Sequence, residues 1–178
     1  LKRLTSPKYA GLLEYGGSWG GAYLLRRGFF MPWELPGILG KEMARAGWHE
    51  LQPLARLEAT VGGIQSERLK VSALEMAWYM RNQLLRDADW AGMAHSLEIR
   101  VPLVDVQLLR DVAPLLASSA PPTKRQMAST PQKPLPSEIL ARRKTGFSVP
   151  VREWLMQDQG TGSRERGLRS WARQVLPV

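Results

Sequence analysis

The chain has 178 residues, 44% hydrophobic and 23% charged, with a formal net charge of +9 and a pI near 10.4. This length fits one ordinary domain, and the apolar content, seven Trp included, suffices for a sizeable core. With no cysteine, the chain excludes disulfides, thiolate metal sites and a Cys nucleophile, and it fits a reducing compartment.

The positive excess invites an anionic partner such as nucleotide, nucleic acid or membrane surface, although a basic soluble protein carries the same charge. No stretch approaches the roughly 20 apolar residues needed to cross a bilayer. Residues 1–20 lack the apolar block of a signal peptide. Position 1 is Leu rather than Met, so the chain is expected to start inside a longer protein or to have had its start removed.

In chain order, Pro7 to Arg27 reads as helical, with Tyr9, Leu12, Leu13, Tyr23, Leu24 and Leu25 as apolar contacts. The insert Gly16-Gly-Ser-Trp-Gly-Gly21 interrupts it, since each Gly costs about 1 kcal/mol in a helix interior. It marks a kink or a close backbone approach, and it lacks the Lys-Ser/Thr of a phosphate loop. Met31-Pro-Trp-Glu-Leu-Pro36 is a rigid connector, Gly37 to Leu57 predicts one or two short helices, and Gly62-Gly63 breaks the chain again.

The strongest helical pattern is Leu69 to Ala94. Its apolar arc is wide, which predicts burial on most sides. The remaining polar residues Glu75, Tyr79, Asn82, Arg86 and Asp89 recur at spacings that stack along one line of an α-helix. That line is either a solvated seam or the polar wall of a cleft. Beyond it, Leu97, Ile99, Val101 and Leu103 alternate with Ser96, Glu98, Arg100 and Pro102, the period of an extended segment. Pro102 confines this segment to a sheet edge or to no sheet. Glu98 and Arg100 project from one face, close enough to pair, with Asp87 and Asp89 behind them. They form either a structural ion pair packed beneath the helix end or part of a reactive cleft.

Asp105 is the expected N-cap of a helix over Val106 to Leu116, which Pro114 should kink or end. Ala117 to Pro136 has linker composition, with a short helix around Thr123 to Ala128. Further helices are expected at Ser137–Ala141, Val151–Gln157 and Arg164–Gln174, with Trp154 and Trp171 docking the last two. His49 and His95 are too isolated for a metal site.

Lys144 lies in Arg142-Arg-Lys-Thr-Gly-Phe147. Gly146 permits a tight turn there, and an ammonium on such a loop can meet a phosphate or developing negative charge; a basic surface turn has the same composition.

Two segments carry a family resemblance: Tyr79-Met-Arg-Asn-Gln-Leu-Leu-Arg-Asp-Ala-Asp-Trp-Ala-Gly-Met-Ala-His-Ser-Leu-Glu-Ile-Arg-Val-Pro102 and Arg143-Lys-Thr-Gly-Phe-Ser-Val-Pro150. In this order the chain resembles the C-terminal part of the synthetase domain of glutamine-hydrolysing asparagine synthetases. Asp89, Met93, Ser96, Glu98, Arg100, Pro102 and Asp105 match the shared pattern, while Leu103 and Val104 stand where Phe and Leu are usual.

The resemblance implies a mainly α chain, the helical C-terminal portion of an α/β adenine-nucleotide α-hydrolase-like domain, with all 178 residues forming one partial synthetase domain. It implies ATP and Mg as cofactors, and aspartate and glutamine-derived ammonia as substrates. The intermediate is a β-aspartyl-AMP, and the location is cytoplasmic. Lys144 matches the family lysine that contacts the phosphates and the intermediate; Asp89, Glu98, Arg100, Asp105 and Gly146 support the site.

The glutaminase domain, the Ser-Gly-Gly-x-Asp-Ser pyrophosphate loop and the sheet that carries it are expected to lie outside the chain. The 178 residues alone are therefore expected to be inactive, and to expose an apolar face that promotes association, homo-oligomers included. Alternatives are a related ligase that closes a β-lactam or modifies a peptide, a basic helical module binding nucleic acid through Arg164, Arg166, Arg169 and Arg173, or an inactive remnant.

Overall fold

A computed structural model describes residues 7–143, 145 and 169–175. Every regular element among them is helical. The chain divides into two compact units, Leu1–Ala59 with Gly146–Val178, and Thr60–Thr145.

In the first unit the expected opening helix is three pieces: α1 (Pro7–Ala10), α2 (Leu12–Tyr15) and α3 (Trp19–Arg27). The breaks fall at Gly11 and at Gly16-Gly-Ser18. Ser18 is extended and its hydroxyl accepts from the Gly21 N–H, so it starts α3 as an N-cap.

The connector Met31–Pro36 contains a 3₁₀ turn over Pro32–Glu34, with the Glu34 carboxylate accepting from the Met31 N–H at 2.8 Å. Three helices follow where one or two were expected: α4 (Pro36–Leu39), α5 (Lys41–Leu51) and α6 (Pro53–Val61). The break between α5 and α6 has a local cause. Pro53 disfavours helical geometry at Gln52, which takes the left-handed conformation at φ 41°. Tyr23, Leu25, Met31, Ile38, Ala44 and Leu57 form the buried core of this unit, with Met31 fully enclosed.

The second unit contains α7 (Glu67–Leu74), a π-helical stretch over Glu75–Leu85 and α8 (Arg86–Met93) in unbroken succession. The expected helix over Leu69–Ala94 is therefore present, but its middle is not α. Trp78 Nε1 donates to Thr60 Oγ1 at 3.0 Å, tying the π stretch to the start of the unit. Leu74, the residue before it, is 1% exposed.

Next come α9 (Val106–Ala117), which packs against α7, α10 (Lys124–Ser129) and α11 (Ser137–Ala141). Pro114 lies inside α9 and does not end it. Thr123 and Gln126 cap α10 reciprocally, so part of the apparent linker is ordered by its own side chains.

The helix α12 (Arg169–Val175) belongs to the first unit. The expected helix over Val151–Gln157, Trp154 and the Trp171 side chain lie outside the described residues.

Candidate functional site

The segment from Asp87 to Asp105 is built around the end of α8. Gly92, in the last turn of that helix, lets the chain fold back through Ala94-His95-Ser96. The Leu97 N–H donates to the Gly92 carbonyl at 2.9 Å and the Ser96 N–H to the Met93 carbonyl at 3.0 Å. This pattern satisfies the last carbonyls of the helix and puts Ser96 in the left-handed region at φ 57°. A Cβ on Gly92 would stand 2.7 Å from the Leu97 carbonyl oxygen and 3.1 Å from Ile99 Cδ1, so only glycine admits the returning chain. His95 is exposed, and its backbone N–H also donates to the Gly92 carbonyl.

From Leu97 the chain runs without joining a sheet among the described residues, the outcome that Pro102 favours. Pro102 then sits in a tight turn closed by the Val104 N–H on the Val101 carbonyl at 2.9 Å. Asp105 ends the segment as expected. Its Oδ1 accepts from the Leu108 N–H at 2.7 Å and caps α9.

Glu98 and Arg100 do pair: Arg100 Nε donates to Glu98 Oε1 at 3.0 Å and Nη2 to Oε2 at 3.3 Å. The expected burial beneath the helix end is not found. The side chains of Arg100 and Glu98 are 82% and 71% exposed. An ion pair so hydrated contributes about 0–1 kcal/mol, because water screens it and ordering two long side chains costs entropy.

Asp89 is exposed on α8 and has no hydrogen bond to this pair. Lys144 and Gly146 lie outside the described residues, so the structure brings together only Glu98 and Arg100 of the expected site residues.

The polar line Glu75-Tyr79-Asn82-Arg86-Asp89 also needs correction. Over Glu75–Leu85 the backbone is π-helical, with i to i+5 hydrogen bonding and a wider turn, so α-helical spacings no longer return to one line there. Within α8 the local pairing is different: the Arg86 guanidinium lies 4.0 Å from the centroid of the Trp90 ring, four residues on.

The alternation of Leu97 to Leu103 left open whether either face of the segment is covered. Trp90, Met93, Leu97, Ile99, Leu103 and Val106 are all exposed, forming an apolar edge along the segment. No residue of α9, α10 or α11 is buried.

Among the described residues no group of three or more His, Asp or Glu side chains stands together to hold a metal ion. No helix among them is long and apolar enough to cross a membrane.

Sequence reasoning missed two contacts in the first unit. The Gly20 N–H donates to Glu58 Oε1 at 2.6 Å, for which the double glycine was the available signal. Arg169 bonds the Glu34 carboxylate and the Phe29 carbonyl, with its guanidinium 4.6 Å from the Phe30 ring centroid. For this second contact the sequence held no signal, since Arg169 and Glu34 are 135 residues apart. Burial by itself raises the Glu34 carboxyl. The hydrogen bonds from Arg169 and Met31, with the charges of Arg169 and Arg173, outweigh it and hold the group below the usual carboxylate range.

The family model of asparagine synthase matches residues 21–176. The chain belongs to the asparagine synthase family. It is 31% identical over 111 residues to asparagine synthetase [glutamine-hydrolyzing] 1 of Bacillus subtilis (strain 168), a match covering 60% of this chain and 16% of that protein. It is 30% identical over 113 residues to putative asparagine synthetases [glutamine-hydrolyzing] of Mycobacterium bovis and Mycobacterium tuberculosis, covering 62% of this chain and 15% of each. The matches span about a sixth of the relatives' length. No solved structure matches the chain.

Proposed function

We propose that this asparagine synthase family chain is the helical C-terminal portion of an α/β synthetase domain. In that reading the domain makes asparagine from aspartate through a β-aspartyl-AMP intermediate, with ATP, Mg and glutamine-derived ammonia. The observation that carries the reading is the family match over residues 21–176, which contains both motif segments. The exposed apolar edge of the second unit supports it from the structural side. In the whole enzyme, that edge meets the nucleotide-binding and glutaminase portions.

The chemistry assigned to this chain is charge management. An ammonium at Lys144 would stabilise negative charge developing on phosphate, without needing proton transfer. Gly146 would give its loop the freedom to approach. Asp105 starts α9 and so sets where the Glu98–Arg100 segment ends; Glu98 and Arg100 constrain each other; Asp89 stands on α8 before the turn. The residues act together only when the rest of the domain covers the apolar edge. The location proposed is cytoplasmic.

The test is a pyrophosphate-release assay with aspartate, ATP and either glutamine or ammonia. The 178 residues alone are expected to show no turnover. A longer protein that carries this segment behind a Ser-Gly-Gly-x-Asp-Ser loop is expected to turn over, and its Lys144→Met variant to lose activity by about 10²-fold or more, the share of one electrostatic donor. Turnover by the isolated chain, or full activity in Lys144→Met, would refute the reading. Replacing aspartate by a β-amino acid or a peptide carboxylate in the same assay separates asparagine synthesis from β-lactam closure and peptide modification.

A further inference from the structure

The stretch from Phe29 to Glu34 presents three kinds of contact that together suit a guanidinium group. Arg169 Nη1 donates to Glu34 Oε2 at 3.2 Å, and Nη2 donates to Oε1 of the same carboxylate. The Phe29 carbonyl accepts from Nη1 as well. The Phe30 ring centroid lies 4.6 Å from the guanidinium carbon. A planar fork of donors matches a carboxylate edge, and its face suits an aromatic ring. A lysine ammonium, a point charge, cannot make the paired fork.

This seat is built locally. Glu34 also accepts from the Met31 N–H at 2.8 Å, a bond closed within the 3₁₀ turn. Met31 itself is fully enclosed. Carboxylate, carbonyl and ring are thus held by their own stretch of chain, and Arg169 is the group that arrives, from 135 residues away. The Arg169 and Glu34 side chains are only 17% and 18% exposed. Shielding from water strengthens a matched pair and makes an unmatched carboxylate costly. Of the other described side chains of α12, Ala172 is buried while Arg173 and Val175 are exposed. Arg173 lies over the same Phe30 ring at 5.2 Å. A buried alanine gains little, so among these side chains the guanidinium contacts hold the helix in place.

We propose that Phe29–Glu34 is a preformed receptor site for an arginine side chain, and that α12 is a strap whose Arg169 fills it and which another guanidinium group displaces. The docked strap closes the chain between Glu34 and Arg169 into a loop, and undocking removes that constraint. Because the connection is long, tethering gives Arg169 a local concentration of about a millimolar or less, within reach of a free competitor. The inference does not rest on the ligase reading and concerns no residue assigned to it.

The experiment places a nitroxide on α12 of the 178-residue chain through Val175→Cys, an exposed position and the sole thiol of the labelled chain. Electron paramagnetic resonance then reads the fraction of label that moves freely. N-acetyl-arginine amide, added up to about 50 mM at fixed ionic strength, is expected to raise that fraction saturably. N-acetyl-lysine amide is expected to leave it unchanged. Glu34→Gln and Arg169→Lys are each expected to raise the ratio of mobile to immobile label about tenfold, the share of one charge-assisted hydrogen bond. A label on Val104→Cys, exposed in the second unit, should not respond.

Four results would overturn the proposal: no release by the arginine compound; equal release by the lysine compound, which would make the effect one of charge screening; an unchanged mobile fraction in folded Glu34→Gln and Arg169→Lys; or mobilisation of the Val104 label together with that on α12, which would make the helix part of the general fold. The competition on the unaltered seat keeps the test decisive even where a variant fails to fold.

Discussion

The Gly20 amide donates to the Glu58 carboxylate at 2.6 Å, so α6 supplies the acceptor that the first turn of α3 lacks. With Ser18 accepting from Gly21, two of the amides that a helix start leaves unsatisfied are matched. A carboxylate there also meets the positive end of the helix dipole. The approach is close: a Cβ on Gly20 would stand 2.7 Å from Glu58 Oε1 and 2.9 Å from Leu57 Cβ. Gly20→Ala is expected to destabilise the chain by about 1–3 kcal/mol and Glu58→Ala by about 1–2 kcal/mol. The double variant should cost less than their sum, because removing the carboxylate relieves one of the two clashes. Chemical denaturation of the four chains measures this; strict additivity would show that the two groups do not meet.

Glu34 makes stability depend on acid. Its carboxyl is held below the ordinary range in the folded chain, so the unfolded chain binds the proton more readily. The stabilisation is therefore fully present above the unfolded value and is lost as pH falls through the folded one. Glu34→Gln is expected to lower stability by roughly 2 kcal/mol at neutral pH, with the two chains converging in acid. Urea midpoints from about pH 7 down to about pH 3 test it across the carboxylate range. A gap that stays constant over this range would mean that the Arg169 contact is not linked to the charge.

The end of α8 predicts opposite signs for two neighbouring substitutions. Ser96 holds a left-handed backbone, which costs an L-residue roughly 1 kcal/mol. Ser96→Gly is therefore expected to raise thermal stability. Gly92→Ala is expected to lower it by about 1–3 kcal/mol, since the new methyl meets a main-chain oxygen and Ile99. Melting curves that moved in the same direction for both would contradict this closure of the helix.

The Glu98–Arg100 pair and the Asp105 cap lie in one segment but should weigh differently on stability. Asp105→Ala removes the acceptor of the Leu108 amide and is expected to cost about 1 kcal/mol. Glu98→Ala and Arg100→Ala, at hydrated positions, are expected to change the isolated chain by less than about 0.5 kcal/mol each. Denaturation of the 178-residue chain measures both. A loss above about 2 kcal/mol at Glu98 would mean that the pair is buried in solution.

What could be read from the letters was mostly local. Asp105 was legible as a helix cap and the short helix at Thr123 was expected, because such caps act through bonds spanning three residues; the cap at Ser18 acts the same way but was read only as part of a glycine-rich break. The Ser137–Ala141 helix falls where expected for the same short-range reasons. The π geometry over Glu75–Leu85 was not legible, because an α pattern and a π pattern share the same residue types and differ only in which amide meets which carbonyl. The exposure of Glu98 and Arg100 was not legible either, since alternation shows that two faces exist but not whether either is covered.

Read alone, the letters established that the chain is built of helices, where several of them start and break, and which family it belongs to. Those properties depend on contacts within a few residues, or on an ordered run of side chains. Folding settled the rest: that Arg169 of a basic tail is spent on Glu34, and that Glu58 completes α3. It also settled that the apolar edge from Trp90 to Val106 faces outward. The first two outcomes need partners 135 and 38 residues apart, and the free energy of such contacts exists only once the chain has brought them together.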